Sequence, residues 1–259
     1  MTVHYQADGA IVTITIDRPG VCNAIDRPTA EALTGAMRRF DADPRLSVAV
    51  LTGAGGRFCS GADLKAMADP GGGPVTRVEA HGDGPVGPTR LLLSKPVIAA
   101  VEKLAVAGGL ELACWCDLRV AATDAVFGVF CRRWGIPLMD GGTVRLPRLI
   151  GHSHALDLIL TGRGVSGEEA FRMGLVNRLT MPGETLRTAQ ALAREIAELP
   201  QAALRSDRLS AYEQWDRALP DALAREFSHG MATLHTGEAS EGIAQFAAGG
   251  RDHALVGQR

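Results

Sequence analysis

Arg57-Phe58-Cys59-Ser60-Gly61-Ala62-Asp63-Leu64-Lys65 and Val106-Ala107-Gly108-Gly109-Leu110-Glu111-Leu112-Ala113 are the two stretches on which the reading of this chain turns. Each sets small residues where a strand or loop enters a helix, which leaves backbone N–H groups bare and lets a ligand come close. What precedes them is also alike. Val48-Ala49-Val50-Leu51-Thr52 reads as a buried strand that ends in Gly53-Ala54-Gly55-Gly56, and Val97-Ile98-Ala99-Ala100-Val101 repeats that design ahead of Gly108-Gly109. A strand, a glycine-rich loop and a helix are thus used twice. Two convergent amides, one from each copy, would make an oxyanion hole, and such donors contribute about 3 to 4 kcal/mol where water is scarce.

Outward from these segments, Ile11-Val12-Thr13-Ile14-Thr15-Ile16 alternates β-branched residues and predicts a strand, followed by a turn at Arg18-Pro19-Gly20 and a helix from Thr29 to Phe40. Leu118 to Ala122 and Ala125 to Gly128 read as further short strands. The expected architecture is α/β, with stacked β-β-α units in a parallel arrangement. Between Asp69 and Pro88, the glycine and proline content predicts a mobile surface loop, which either borders the ligand entrance or is a solvent-exposed insertion. Beyond Pro182 the periodicity is helical, through Ala189 to Leu199, Ala202 to Leu209 and Leu219 to Leu234. The expected division is a core of residues 1–195 and a helical region of residues 196–259. Apolar stripes on such a tail must pack on the core and on neighbouring subunits, so a homo-oligomer is expected.

The 259 residues are 46% hydrophobic and 22% charged, the composition of a soluble globular protein with a sizeable core. A net charge of -2 without a basic stripe disfavours nucleic acid or an anionic membrane as partner. Met1-Thr2-Val3-His4-Tyr5 has no basic and apolar leader pattern, and no apolar run approaches the ~18 residues that span a bilayer; a cytoplasmic location is expected. Cys22, Cys59, Cys114, Cys116 and Cys131 are an odd, scattered set without zinc or disulfide spacing, and are expected to be reduced thiols acting as small apolar groups. No metal site is expected; His152 and His154 read as the start of a helix. Gly53-Ala54-Gly55-Gly56 lacks the glycine spacing of a dinucleotide-binding turn.

The chain resembles the enoyl-CoA hydratase/isomerase, or crotonase, family over nearly its whole length. Asp17-Arg18-Pro19 with Asn23-Ala24 is similar to that family's N-terminal turn, Phe58 to Lys65 to its first oxyanion segment, and Lys95-Pro96-Val97 onward to the approach to the second. Gly141-Gly142-Thr143, Leu160-Thr161-Gly162, Ala170 with Gly174-Leu175-Val176, and Glu241-Gly242-Ile243 follow in order. The resemblance implies a spiral of β-β-α turns with a C-terminal helical trimerisation region, built into a homotrimer or a dimer of trimers. It implies an acyl-CoA thioester as substrate, with coenzyme A part of that substrate and no separate cofactor. The amides of Ala62 and Gly108 would bind the thioester oxygen. The backbone at Ser60, Gly61, Ala62, Asp63 and Leu64, with Gly109, would line the CoA site, and Lys65 would either meet a CoA phosphate or be an ordinary solvated lysine.

Glu111 falls in the first turn of the second helix, where the helix N-terminus favours its ionised form and suits it to act as the main acid/base; its alternative is to complement the helix dipole. Hydratases of the family commonly use a second glutamate. Counting back from Gly141-Gly142-Thr143, that position holds Cys131, a poorer match to a carboxylate. Asp140 is the nearest acidic replacement, with a helix N-cap as its other reading. Cys131 as a nucleophile has no activating neighbour in the sequence. Arg132 and Arg133 read as anion binders or as surface ion-pair partners. The resemblance therefore implies an enoyl-CoA hydratase, isomerase or related lyase, or an acyl-CoA carrier that kept the cradle and lost the chemistry.

Overall fold

The computed structural model describes residues 1–68 and 78–248. The described residues form two units, the first ending at Ile196 and the second beginning at Ala197. Strands of the first unit are β1 (Val3–Asp8), β2 (Ile11–Ile16), β3 (Val48–Gly53), β4 (Val97–Val101), β5 (Leu104–Val106), β6 (Leu118–Ala122), β7 (Val126–Gly128), β8 (Gly164–Ser166) and β9 (Arg178–Thr180). A six-stranded sheet runs in the order β1-β2-β3-β4-β6-β9, and β5-β7-β8 form a second sheet of three. In the larger sheet only the β1–β2 pair is antiparallel. In the smaller, β5 and β7 are parallel and β8 is antiparallel to β7. β3 and β4 are covered on both faces, which is why they read as unbroken apolar runs. β1 escapes the sequence pattern because only Val3 of it is buried.

The same unit holds helices α1 (Arg27–Ala42), α2 (Leu64–Ala68), α3 (Gly108–Trp115), α4 (Gly142–Ile150), α5 (His152–Thr161) and α6 (Gly167–Arg172), and α7 (Thr185–Ala197) up to its last residue. In α1, Asp26 caps the start by accepting from the Thr29 amide at 3.0 Å. Ala30, Leu33, Met37 and Phe40 are its buried stripe. Lys95, itself buried, donates through Nζ to the carbonyls of Phe40 (3.1 Å) and Asp43 (2.6 Å) and so closes the C-terminal end. Every residue of α3 is buried. Its C-terminal end is held by buried Arg119, whose guanidinium donates to the carbonyls of Ala113 (3.2 Å) and Cys116 (2.7 Å); a cation there offsets the helix dipole.

The expected mobile loop over residues 69–88 needs correction in its described part. Residues 69–77 lie outside the described residues, but Gly84 to Thr89 is buried, tied by the reciprocal Gly84–Gly87 backbone pair at 2.8 and 2.9 Å. Gly and Pro there form a packed turn.

In the second unit, α8 (Gln201–Glu213), α9 (Leu219–Leu234) and α10 (Glu238–Ala247) pack on one another. The Glu238 carboxylate accepts from the Ala202 and Ala203 amides at 3.2 and 3.1 Å, capping α8 from another helix. Leu219, Phe227, Ile243 and Phe246 remain exposed. Among the described residues no helix is long and apolar enough to cross a membrane.

Candidate active site

The turn after β2 builds the first segment. Asn23, buried at a positive φ of 55°, donates through Nδ2 to the carbonyls of Ala54 (2.9 Å) and Arg57 (2.7 Å) and accepts from the Arg18 amide (2.9 Å). The Arg18 guanidinium reaches Asp26 at 3.0 Å and Asp63 at 2.9 Å. This fixes the loop from Ala54 to Asp63 at both ends. Between them, the Gly61 carbonyl accepts from the Ile25 amide (2.8 Å) and the Asp63 amide donates to the Ile25 carbonyl (3.0 Å). The Ala62 amide, lying between, donates to none of the described residues.

The second segment leaves β5 through Ala107, whose φ of 53° and ψ of −127° are strained for a residue with a Cβ. The chain then enters α3, where the Gly108 amide also has no partner among the described residues. The two segments nearly touch. A methyl on Gly61 would lie 2.7 Å from the Gly108 nitrogen, and one on Gly108 would lie 3.5 Å from the Ala62 nitrogen. Glycine at 61 and 108 is therefore what lets the two free amides share one small space.

They open onto a cavity of about 240 Å³ lined by Ser60, Ala62, Leu64, Gly108, Glu111, Cys131 and Asp140, with an otherwise apolar wall that includes Val86, Phe130 and Trp134. Of the residues expected from sequence, Gly61, Asp63, Lys65 and Gly109 do not line it. Asp63 is held by Arg18, and its Oδ1 accepts from the Ala66 amide at 3.2 Å. Lys65 is exposed on α2. Gly109 packs on the Cys59 carbonyl, where a methyl would come within 2.2 Å.

Glu111 is 3% exposed, and its Oε1 accepts from the Asp140 and Gly142 amides, both at 2.8 Å. Gly142 has to be glycine, because a Cβ would sit 2.9 Å from Glu111 Cγ. The expectation that the helix N-terminus keeps Glu111 ionised is corrected: burial, then the charge of Asp140, raises its pKa to about 7 against the pull of the amides. Asp140 is not the N-cap of α4. Gly141, at a φ of 91°, holds that position without a side-chain bond. The Asp140 carboxylate instead accepts at Oδ1 from the Val86 amide (3.1 Å) and the Thr89 hydroxyl (2.5 Å). Burial raises its pKa as well, opposed by those donors and by Arg90 and Arg145. The Met139 backbone also contributes to holding the Glu111 carboxylate, and both hydrogen bonds to the Asp140 carboxylate fall on Oδ1. Two neighbouring carboxyls thus line one cavity, each held in place by backbone amides.

Cys131 forms part of the wall, and burial followed by the Glu111 charge pushes its thiol upward, away from the thiolate a nucleophile needs. Arg132 and Arg133 are neither cavity residues nor ion-pair partners among the described residues. They donate to the Ile159 carbonyl (3.2 Å) and the Gly162 carbonyl (3.0 Å), which closes the C-terminal end of α5. The segment expected to border the ligand entrance does so through Val78, Pro85 and Val86, but the sequence names neither these residues nor Thr89 and Arg145 individually.

The family model described as enoyl-CoA hydratase/isomerase matches residues 6–252. The chain is 40% identical to the carnitinyl-CoA dehydratase of Salmonella arizonae over 93% of each protein. It is 35% identical to enoyl-CoA hydratase EchA19 of Mycobacterium tuberculosis over 92% of this chain and 91% of that one. The crystal structure of enoyl-CoA hydratase EchA1 from Mycobacterium marinum matches the α/β fold with a TM-score of 0.90 at 39% identity, covering 96% of both chains. With matched length, fold and residue order, the chain belongs to the enoyl-CoA hydratase/isomerase (crotonase) family.

Proposed function

We propose that this chain is an acyl-CoA hydro-lyase that adds water to, or removes it from, the Cα–Cβ bond of an enoyl thioester. The observation that carries the reading is the pair of free amides, Ala62 and Gly108, opening onto the same cavity as Glu111 and Asp140. The amides take the thioester oxygen as it gains charge in the enolate. Burial raises both carboxyls; at Asp140 a hydroxyl, an amide and two arginines oppose the rise, whereas at Glu111 the Asp140 charge adds to it, and on that ground we assign the proton of the pair to Glu111. Such a pair carries a single proton between its two ionisations. In hydration, Asp140 takes a proton from water as its oxygen bonds to Cβ, and Glu111 gives its proton to Cα. Dehydration retraces the same steps, so the names of both kinds of relative fit one apparatus.

Asp140 also answers the carrier alternative, whose motive was the missing glutamate at Cys131. A homotrimer or a dimer of trimers remains part of the proposal, supported by the exposed Leu219, Phe227, Ile243 and Phe246. The test is the loss of enoyl absorbance with crotonyl-CoA, a short enoyl-CoA. Wild type turns it over, and Asp140→Asn loses at least ~100-fold, the scale of a positioned acid or base. Asp140→Asn at wild-type rates removes Asp140 from the chemistry.

A further inference from the structure

We propose that Thr89 is a positioning residue for the reaction: its hydroxyl, with the Val86 amide, holds one oxygen of Asp140 and so sets the carboxylate in the cavity wall. This rests on the role of Asp140 in the proposed hydration. Thr89 is buried, 51 residues away in sequence, and its Oγ1 lies 2.5 Å from Asp140 Oδ1. A buried hydroxyl that donates to a carboxylate both fixes the carboxylate's rotation and favours its charged form.

The contact is doubly braced. Arg145 of α4 donates to the Asp140 carbonyl at 2.9 Å and to the Thr89 carbonyl at 2.6 Å, joining the two backbones that must stay in register for the hydroxyl to reach. A Cβ on Gly84 would lie 2.0 Å from Thr89 Oγ1 and 2.5 Å from Asp140 Oδ1, so the turn closes tightly over the pair. The titratable and charged groups around Asp140 are Glu111 from α3, Arg145 from α4, Arg90 beside Thr89, and Cys59. Thr89 is the only side chain whose hydrogen bond to the Asp140 carboxylate is seen among the described residues.

The experiment compares kcat and KM against pH for crotonyl-CoA in wild type, Thr89→Val, Thr89→Ser and Asp140→Asn. Loss of a charge-assisted donor is expected to lower kcat ~10-fold to 100-fold in Thr89→Val, with the acid limb moved up by about one pH unit. KM is expected to change by less than about threefold, since no substrate contact is lost. Thr89→Ser, which keeps the donor, is expected to retain the wild-type limb and a rate within about threefold. A Thr89→Val profile that superimposes on wild type while Asp140→Asn is impaired overturns the role of Thr89 and leaves that of Asp140 standing. An unimpaired Asp140→Asn overturns both. If Thr89→Val does not fold, Thr89→Cys replaces it: a thiol donates weakly, so its limb must move up while that of Thr89→Ser stays, and coincident limbs overturn the proposal.

Discussion

Replacing Glu111 by Gln should make the protein slower and, at alkaline pH, more stable. Gln keeps the acceptor that takes the Asp140 and Gly142 amides, both at 2.8 Å, and removes the group that must ionise in a buried place beside Asp140. The folded pKa is raised from 4.5 to about 7, so between those values the folded state binds the proton and the unfolded state releases it. Stability of the wild type therefore falls as pH rises through this window. At roughly 1.4 kcal/mol per pH unit, the full displacement corresponds to about 3 kcal/mol once the pH is above 7. Below about pH 4.5 both states carry a neutral carboxyl, and the two proteins should match. Denaturant unfolding of wild type and Glu111→Gln at pH 4.5 and pH 8.5 reads the difference, which should grow from near zero to about 3 kcal/mol in favour of Gln. Turnover should fall at least ~100-fold over the same range. A difference that is flat with pH, or one that favours the wild type at pH 8.5, rules out a Glu111 held protonated by its surroundings.

Gly61→Ala should lower kcat by ~100-fold or more, because a methyl 2.7 Å from the Gly108 nitrogen, at a φ of 96°, has to push the two amides apart; steady-state kinetics at saturating crotonyl-CoA measures it, and an unchanged kcat places the oxyanion site elsewhere. Cys131→Ser should stay within about threefold of wild type in the same assay, since the thiol is raised and serves as wall. A loss as large as that of Glu111→Gln would move the water-activating role from Asp140 to Cys131. Arg18→Met should cost about 2 to 4 kcal/mol in denaturant unfolding, because Asp63 is left buried without its cation; a change below about 0.5 kcal/mol would mean that the clamp on the first segment lies elsewhere.

What the sequence discloses follows from how local each cause is. The two strand–glycine–helix units were legible because burial on both faces of β3 and β4 demands apolar runs, and close backbone approach demands Gly61, Gly108 and Gly109. Ala62, Gly108 and Glu111 could be named as candidates for the same reason: they lie within a few residues of those glycines. Asp140 is visible in the sequence as an acid, with acid/base and helix N-cap both open to it. Its actual partners, Val86 and Thr89, are 54 and 51 residues away, and no spacing rule connects them. For Glu111 the helix N-terminus is the one influence the sequence displays, and it favours the charged form. The larger contribution is desolvation, set by Asp140, Gly142 and the cavity wall around it, which only the packed chain defines. The Gly- and Pro-rich character of residues 84–88 likewise signalled a departure from regular structure, but not that the turn would be buried.

The proposed chemistry depends above all on the amides of Ala62 and Gly108 gripping a thioester oxygen together. A crystal structure of Glu111→Gln with crotonyl-CoA bound, the substitution serving to hold the substrate unreacted, measures this grip. Both nitrogens should lie about 3 Å from the thioester oxygen, with Cα and Cβ of the acyl group next to Asp140 and to the amide side chain that replaces Glu111. A thioester oxygen that meets neither amide, or an acyl group seated outside this cavity, would be incompatible with the mechanism.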